Sequence, residues 1–201
     1  MEIIMNNNTH VTNRPYREAL RRLVLSAMFL AIGLVLPFFT GQIPQLGSML
    51  LPMHIPVLLC GLICGWQYGA LIGAVLPLFR FVLFGMPPIY PTGIAMAVEL
   101  CIYGLAIGFI YGMFKKQGLP AVYVSLVIAM ILGRVAWGGS MTVLLSMQGN
   151  SFTFAAFLSG ALLNAVPGII LQLLLIPAVM SSLHLTGLTR FRGRPTKEEK
   201  A

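Results

Sequence analysis

Charged side chains are scarce along most of this chain. Charged residues make up 9% of the sequence, against about 25% in typical soluble domains. An ionised side chain at the centre of a bilayer costs roughly 2.5–3.5 kcal/mol on insertion scales, so long stretches without charge are typical of membrane proteins. The scarcity therefore excludes a soluble domain and makes the few internal charges candidates for function. Between Leu23 and Thr189 these charges are Arg80, Glu99, Lys115, Lys116 and Arg134.

The residues that most enzyme chemistry requires are also missing. Nothing matches the Gly-x-x-x-x-Gly-Lys-Ser/Thr loop that holds nucleotide phosphates, so the chain cannot hydrolyse ATP by that route. His10, His54 and His184 are scattered and do not form the ligand cluster that catalytic zinc requires. Glu99 is the only acid in the hydrophobic region, whereas enzymes acting on lipid phosphates usually gather several acids around a metal. We therefore expect no enzyme activity, no cofactor and no metal site.

Cysteine is rare, and its spacing is not that of a metal or redox site. Cys60, Cys64 and Cys101 all lie in apolar segments. The four-residue spacing of the first two is helical, unlike the closely spaced pairs of zinc or redox sites. The sequence predicts small, buried side chains at these positions.

The excess of basic residues lies at the ends of hydrophobic segments. The formal net charge is +8, but the cations do not form a folded basic face, which argues against a nucleic-acid partner. With both termini and the Lys115–Lys116 loop in the cytoplasm, every basic residue except Arg80 and Arg134 obeys the positive-inside rule. The basic tails favour contact with anionic membrane lipids.

The length of the hydrophobic region predicts the fold. A spanning helix needs about 20 apolar residues, so the region holds roughly six spans. We predict an all-α polytopic membrane bundle of six transmembrane helices with both termini cytoplasmic. Residues 1–19 are a cytoplasmic N-terminal lead, residues 20–185 the six-helix membrane domain and residues 186–201 a basic cytoplasmic tail. The predicted spans are about 20–37, 51–65, 69–84, 92–114, 119–145 and 152–182.

Two stripes with four-residue spacing indicate helix faces that contact protein. Small residues on such a face allow a neighbouring helix to approach closely, and polar ones bond across helices. One stripe, in the fourth span, is Gly104, Gly108 and Gly112. The other, in the sixth span, is Gly160, Asn164, Gly168 and Gln172.

The ionisable groups inside the predicted membrane domain favour its outer half. His54, Arg80, Glu99 and Arg134 all fall there when each helix is laid out at 1.5 Å per residue. Such a distribution suits an outward-facing pocket for a small polar solute. A competing interpretation is that Glu99 and Arg134 only neutralise each other and join two helices.

The other candidate residues also have structural alternatives. Arg80 could extend its long side chain to the external interface, and His54, beside two prolines, could be a capping or interface residue. Asn164 could bond between helices, and the aromatic residues Tyr90, Tyr103 and Trp137 could be packing or interface residues. The predicted substrate-binding set is His54, Arg80, Tyr90, Glu99, Tyr103, Arg134, Trp137 and Asn164.

Several motifs, spread over about residues 20–185, resemble those of one transporter family. The first span contains Ala27 and Ala31, spaced as in an Ala-x-x-x-Ala surface that gives a partner helix a flat strip. The other motifs are Leu51-Pro-Met-His54-Ile-Pro56-Val-Leu-Leu-Cys-Gly61, Gly69-x-x-x-Gly73, Pro77, Gly85-Met-Pro87-Pro88, Glu99-x-x-x-Tyr103-Gly104, Gly133-Arg134 and Asn164-Ala-x-Pro167-Gly168. Together they resemble the substrate-binding S components of energy-coupling factor (ECF) vitamin transporters, and are similar to the pantothenate-type branch.

The resemblance implies a function and a set of partners. Such a subunit is a multi-pass protein of the prokaryotic cell membrane that binds one vitamin with high affinity in an outward pocket. Its partners are a transmembrane coupling protein (T component), which would dock on the Ala27–Ala31 surface, and two ATPase subunits. The ATPase pair would explain the missing phosphate loop.

The identity of the vitamin stays open, because related branches carry riboflavin, thiamine precursors, folate or cobalamin. For pantothenate, charge matching suggests that Arg134 or Arg80 holds the carboxylate while Asn164 and Glu99 bind hydroxyl or amide groups. Two other classes of function also remain open. One is a stand-alone proton-coupled carrier that uses Glu99, and the other is a membrane enzyme acting on lipids.

Overall fold

Every hydrophobic segment of the sequence contributes helix to the structure. The computed structural model describes residues 8–40, 50–150, 153–160 and 165–186. Within these ranges the chain forms helices joined by turns, without any β-strand, and this confirms the all-α class. The helices are α1 (Asn8–Val35), α2 (His54–Cys64), α3 (Trp66–Phe84), α4 (Ile94–Met113), α5 (Leu119–Met147), α6 (Phe154–Leu158) and α7 (Val166–Leu185). A 3₁₀ turn (Leu36–Thr40) extends α1, and a short kinked helical segment (Ile89–Gly93) precedes α4.

Five of the described helical segments are long and apolar enough to cross a bilayer. These segments confirm a polytopic helical bundle, and α2 adds a shorter apolar helix of 11 residues. At 1.5 Å per residue α2 is only about 16 Å long. The second predicted segment is therefore shorter as a helix than the other spans. The five longer segments are Tyr16–Phe38, Trp66–Phe84, Ile89–Met113, Leu119–Met147 and Val166–Leu185.

The short helix α2 lies in the interior of the bundle. Ten of its residues are buried, and it packs against α1, α3, α4 and α7. It ends at Gly65, whose φ of 105° is a conformation that glycine adopts readily and other residues rarely do. This single residue links α2 to α3. Because α2 is enclosed by protein, its polar first residue, His54, is held away from lipid.

Glycines bring α2, α3 and α4 into close contact. A Cβ added at Gly104 would lie 2.2 Å from the carbonyl of Gly69, and one added at Gly73 would lie 2.2 Å from the carbonyl oxygen of Leu100. A Cβ added at Gly108 would lie 2.6 Å from the backbone of Trp66, at the start of α3, and 2.7 Å from the carbonyl oxygen of Gly61 in α2. The predicted stripe on the fourth span therefore makes the expected helix contact at two of its three positions. Gly112 is the exception, with nothing within 4 Å of an added Cβ.

The structure describes two helices in the sixth predicted span. The hydroxyl of Thr153 caps α6 by accepting a hydrogen bond from the backbone N–H of Ala156 at 3.3 Å. Helix α7 has Pro167 in its first turn, where a missing N–H costs nothing. Asn164 lies outside the described residues. Its predicted role in substrate binding therefore stays a prediction.

Candidate functional site

Three ionisable side chains from three helices meet inside the bundle. Glu99, in the second turn of α4, lies with its Oε1 atom 3.0 Å from Nη1 of Arg134, halfway along α5. The same oxygen is 3.4 Å from Nε2 of His54, the first residue of α2. His54 and Glu99 are 1% and 2% exposed, and Arg134 is 11% exposed. Glu99 and Arg134 therefore form an ion pair, and His54 contacts the same carboxylate oxygen.

Tyr103 completes this group, which we call the polar cluster (His54, Glu99, Tyr103 and Arg134). Tyr103 follows Glu99 by one helical turn on α4 and contacts the His54 ring edge to face, with centroids 5.0 Å apart. Its ring also lies against Gly133, where an added Cβ would come within 2.6 Å of Cε2. The glycine that precedes Arg134 therefore leaves room for the Tyr103 ring beside the Arg134 side chain.

Several polar atoms of the cluster are buried without a hydrogen-bond partner. Among the described residues this holds for both ring nitrogens of His54, Oε1 of Glu99, and Nε and Nη2 of Arg134. The contacts to Glu99 are close approaches of charge whose geometry is not that of a hydrogen bond. An unmade bond to a buried polar group costs about 1–3 kcal/mol, and native proteins rarely tolerate it. Three of these atoms, Nδ1 of His54 and Nε and Nη2 of Arg134, are also outside the ion pairs, and donors and acceptors left over in this way suit a polar ligand.

The cluster has the composition of a solute site and not that of a metal centre. No group of three or more histidine, cysteine or acidic residues suited to a metal ion occurs among the described residues. The family model described as "ECF transporter, substrate-specific component" matches residues 21–180. This chain belongs to that family. The comparison with curated proteins gave no match, and neither did the comparison with solved structures.

Family membership confirms the resemblance found in the motifs. The chain is an S component, a multi-pass protein of the plasma membrane from a family of transporter subunits and not of enzymes. S components bind small vitamins and work with a coupling protein and ATPase subunits. The match does not distinguish the pantothenate-type branch from the other branches.

A further buried amide lies on α7 of this S component. Gln172 is fully buried, and neither atom of its amide has a hydrogen-bond partner among the described residues. Helix α7 packs against α2 and α5, which carry His54 and Arg134. The sequence identified Gln172 only as part of a polar stripe, and its burial without a partner makes it an additional candidate for ligand binding.

Ser125 has a similar side-chain environment but lies elsewhere on α5. Its hydroxyl is buried without a partner among the described residues. It precedes Arg134 by nine residues, which is roughly 13 Å along the helix axis. Ser125 is therefore outside the polar cluster.

Arg80 of the S component is held in a different place from the polar cluster. Its Nη1 donates a hydrogen bond to the carbonyl of Leu34 at 2.9 Å. The guanidinium carbon lies 5.4 Å from the ring centroid of Phe38 and 5.6 Å from that of Phe84. The side chain is buried and joins the ends of α1 and α3. The described contacts do not bring it to Glu99, so its predicted ligand role has no support from these contacts.

Two other predicted aromatic residues contact the ends of helices. Tyr90 donates a hydrogen bond from its hydroxyl to the carbonyl of Leu144, near the end of α5. Trp137 stacks on Phe157 of α6 with ring centroids 6.3 Å apart. Because Trp137 follows Arg134 by three residues on α5, it lies on a similar side of that helix. Ligand contact by either residue stays a prediction.

The predicted docking residues lie on the outer surface of α1. Ala27 and Ala31 are exposed, next to exposed Met28 and Ile32. On the buried side of the same helix, the hydroxyl of Ser26 accepts a hydrogen bond from the thiol of Cys60 at 3.6 Å. Cys60 is buried, as predicted, and so is Cys64, whereas Cys101 is partly buried. The surface around Ala27 and Ala31 is thus available to lipid or to a partner.

Proposed function

We propose that this S component binds a small vitamin at the polar cluster and delivers it across the membrane with a coupling protein and two ATPase subunits. The observation that carries the proposal is the set of buried, unpartnered nitrogen and oxygen atoms on His54, Glu99 and Arg134. In a low-dielectric interior such atoms favour a ligand that supplies complementary hydrogen bonds. In a solute-binding subunit, the bound solute would supply the hydrogen bonds that these atoms lack.

The lead ligand is pantothenate. It combines a carboxylate with an amide and a hydroxylated aliphatic body, and these groups match the donors and acceptors of the cluster. Arg134 is the better partner for the carboxylate, because Arg80 already bonds the Leu34 carbonyl and lies between two phenylalanine rings. Glu99 would accept a hydroxyl or amide hydrogen, and Asn164 would contribute from the adjoining segment.

The exposed strip at Ala27 and Ala31 is the proposed contact for the coupling protein. Small exposed residues spaced by one turn allow another helix to pack closely. ATP hydrolysis by the partners would supply the energy for transport, since this chain has no phosphate loop.

Mass spectrometry of the molecule that co-purifies with the detergent-solubilised protein tests the proposal. We expect a vitamin at near-stoichiometric occupancy, and ATPase subunits that co-elute when the partners are expressed together. Purified, folded protein that carries no vitamin, and binds none from a panel of vitamins, would contradict the proposal.

The contact between Glu99 and His54 supports a second candidate function, a stand-alone carrier driven by protons. In that case uptake would stop when the proton gradient is dissipated and would need no partner. The proposed function predicts the reverse. Uptake should depend on the ATPase subunits and continue, while ATP lasts, after an uncoupler is added.

A further inference from the structure

We propose that the S component binds its vitamin as a carboxylate together with one proton, and that His54 carries this proton. The inference rests on the proposed function, because it takes the polar cluster as the vitamin site. It assigns a chemical class to the ligand and a separate task to each ionisable side chain of the cluster.

One side of the Arg134 guanidinium faces Glu99, and the donors on its other side have no hydrogen-bond partner among the described residues. Nη1 faces Glu99 at 3.0 Å, whereas Nε and Nη2 are buried without hydrogen-bond partners among the described residues. Nε and Nη2 form the planar fork that binds both oxygens of a carboxylate in parallel. Glu99 therefore holds the guanidinium from one side, and the fork on the other side suits a carboxylate ligand.

A carboxylate at this fork would leave the cluster with an unbalanced charge. Glu99 and Arg134 neutralise each other, so with a neutral His54 the ligand would add one uncompensated negative charge. An uncompensated charge in a buried site is strongly unfavourable. A proton bound along with the ligand restores neutrality, since the cluster then has two positive side chains facing Glu99 and the ligand.

His54 is the group placed to accept that proton. Its Nε2 is 3.4 Å from Glu99, and its Nδ1 has no hydrogen-bond partner among the described residues. Protonated imidazole donates from both nitrogens. Nε2–H would then point to Glu99 and Nδ1–H to a carbonyl or hydroxyl oxygen of the ligand. The proton comes from the surrounding water on binding and returns to it on release.

The other ionisable groups on the helices around α2 do not take this role. Tyr103, on α4, touches the His54 ring with its edge, and Arg80, on α3, bonds the Leu34 carbonyl and is already charged. Cys60 and Cys64 lie further along α2 itself. Cys101 follows Glu99 by two residues and therefore projects from a different side of α4. The remaining described groups on the packed helices lie further along the chain from the cluster residues: Arg17, Glu18, Arg21 and Arg22 on α1, Tyr68 on α3, Tyr111 on α4, Tyr123 on α5 and His184 on α7.

Isothermal titration calorimetry measures the proton directly. Ligand-free protein in detergent is titrated with pantothenate at one pH in buffers of different ionisation enthalpy, and with pantothenol, in which an alcohol replaces the carboxylate. We expect uptake of about one proton with pantothenate and none with pantothenol. Because binding takes up a proton, affinity for pantothenate should fall as the pH rises, by up to about tenfold per pH unit, whereas affinity for pantothenol should not.

Two variants locate the proton. His54→Gln should weaken pantothenate binding and bring proton uptake close to zero. His184→Gln, in the last turn of α7, is the matched control and should leave uptake at about one proton. The wild-type count does not depend on either variant, so an uptake of zero overturns the inference even if His54→Gln fails to fold; in that case His54→Asn is measured in its place.

A panel of vitamins separates failure of this inference from failure of the proposed function. Pantothenate and folate carry carboxylates, whereas riboflavin and thiamine do not. Binding of riboflavin or thiamine alone, or of pantothenate without proton uptake, would overturn the inference and leave the proposed function standing. Absence of binding to every vitamin in the panel would overturn both.

Discussion

Glu99 is the residue on which the ionic contacts of the polar cluster converge. Its Oε1 atom lies within ion-pair distance of both Arg134 and His54, and the Glu99 side chain is almost fully buried. Removing one member of a buried ion pair leaves its partner as an uncompensated charge, which usually costs about 3–5 kcal/mol. Replacing both members by apolar residues avoids that cost. Stability and ligand binding can therefore be separated by mutation.

We expect Glu99→Gln to destabilise the folded protein by about 3–5 kcal/mol, because Arg134 loses its counter-charge. The double variant Glu99→Leu with Arg134→Leu should recover most of that stability, because it leaves neither charge buried alone, and should still bind no vitamin. Thermal unfolding in detergent checks both. Glu18→Gln, on the exposed part of α1, is the control and should unfold as the wild type does. A Glu99→Gln protein as stable as the control would show that the Glu99–Arg134 ion pair contributes little to the free energy of unfolding.

Arg134→Lys tests whether a fork or only a positive charge is needed. Lysine keeps the charge but cannot bind two carboxylate oxygens in one plane. The loss of one charged hydrogen bond should weaken pantothenate binding roughly tenfold to a hundredfold. Arg80→Lys, measured by the same binding assay, should keep wild-type affinity. The reverse ranking of the two variants would assign the carboxylate to Arg80.

At the scale of elements, the contacts of α3 with α4 depend on the absence of side chains at a few positions. The Cα of Gly104 faces the backbone of Gly69, and backbone yields less easily than a side chain. Gly104→Ala should therefore destabilise the protein by about 1–3 kcal/mol through overpacking. Gly112→Ala, two turns along the same helix in open space, should leave the unfolding temperature unchanged or slightly raise it. Equal effects of the two substitutions would contradict the proposed packing.

Hydropathy predicted several helices closely, because a long apolar run can be satisfied only by a helix in lipid. The third and fifth predicted spans, 69–84 and 119–145, correspond to Trp66–Phe84 and Leu119–Met147. Hydropathy does not distinguish an apolar helix that faces lipid from one enclosed by protein. The sequence predicted a short second span, at about residues 51–65, but the central position of α2 became clear only from the structure.

Because the sequence does not reveal which helix faces are enclosed by protein, it predicted only part of the candidate site. The contact of Glu99 with Arg134 could be anticipated as one of two interpretations because few other charges exist inside the membrane domain, while their ligand role stays a prediction. His54 belongs to the predicted substrate-binding set, although its neighbouring prolines also suit a capping or interface residue, and its place in the cluster follows from the burial of α2. For Gln172 the sequence offered only its four-residue spacing from Gly168, which indicated a helix face that contacts protein. Its burial without a partner depends on how α7 packs, which no local pattern reveals.

At the scale of the whole molecule, the polar cluster and the exposed face of α1 are separate surfaces with separate proposed roles. The cluster lies among α2, α4 and α5, whereas Ala27 and Ala31 point away from the bundle. Binding of the vitamin and docking of the coupling protein should therefore respond to different substitutions.

Ala27→Trp should reduce co-purification with the coupling protein and leave vitamin binding intact, because a large ring prevents close approach of a partner helix. Ala178→Trp, at an exposed alanine of α7, is the matched control and should affect neither. Co-elution with the ATPase subunits on size-exclusion chromatography provides the measurement. Normal co-elution of the Ala27→Trp protein would place the partner surface elsewhere.

The most direct test of the central claim is the amount of vitamin that co-purifies with the wild type, with Arg134→Ala and with Arg80→Ala. If the polar cluster is the binding site, the wild type and Arg80→Ala should carry vitamin at near-stoichiometric occupancy, while folded Arg134→Ala should carry almost none. Full occupancy in folded Arg134→Ala would contradict the account.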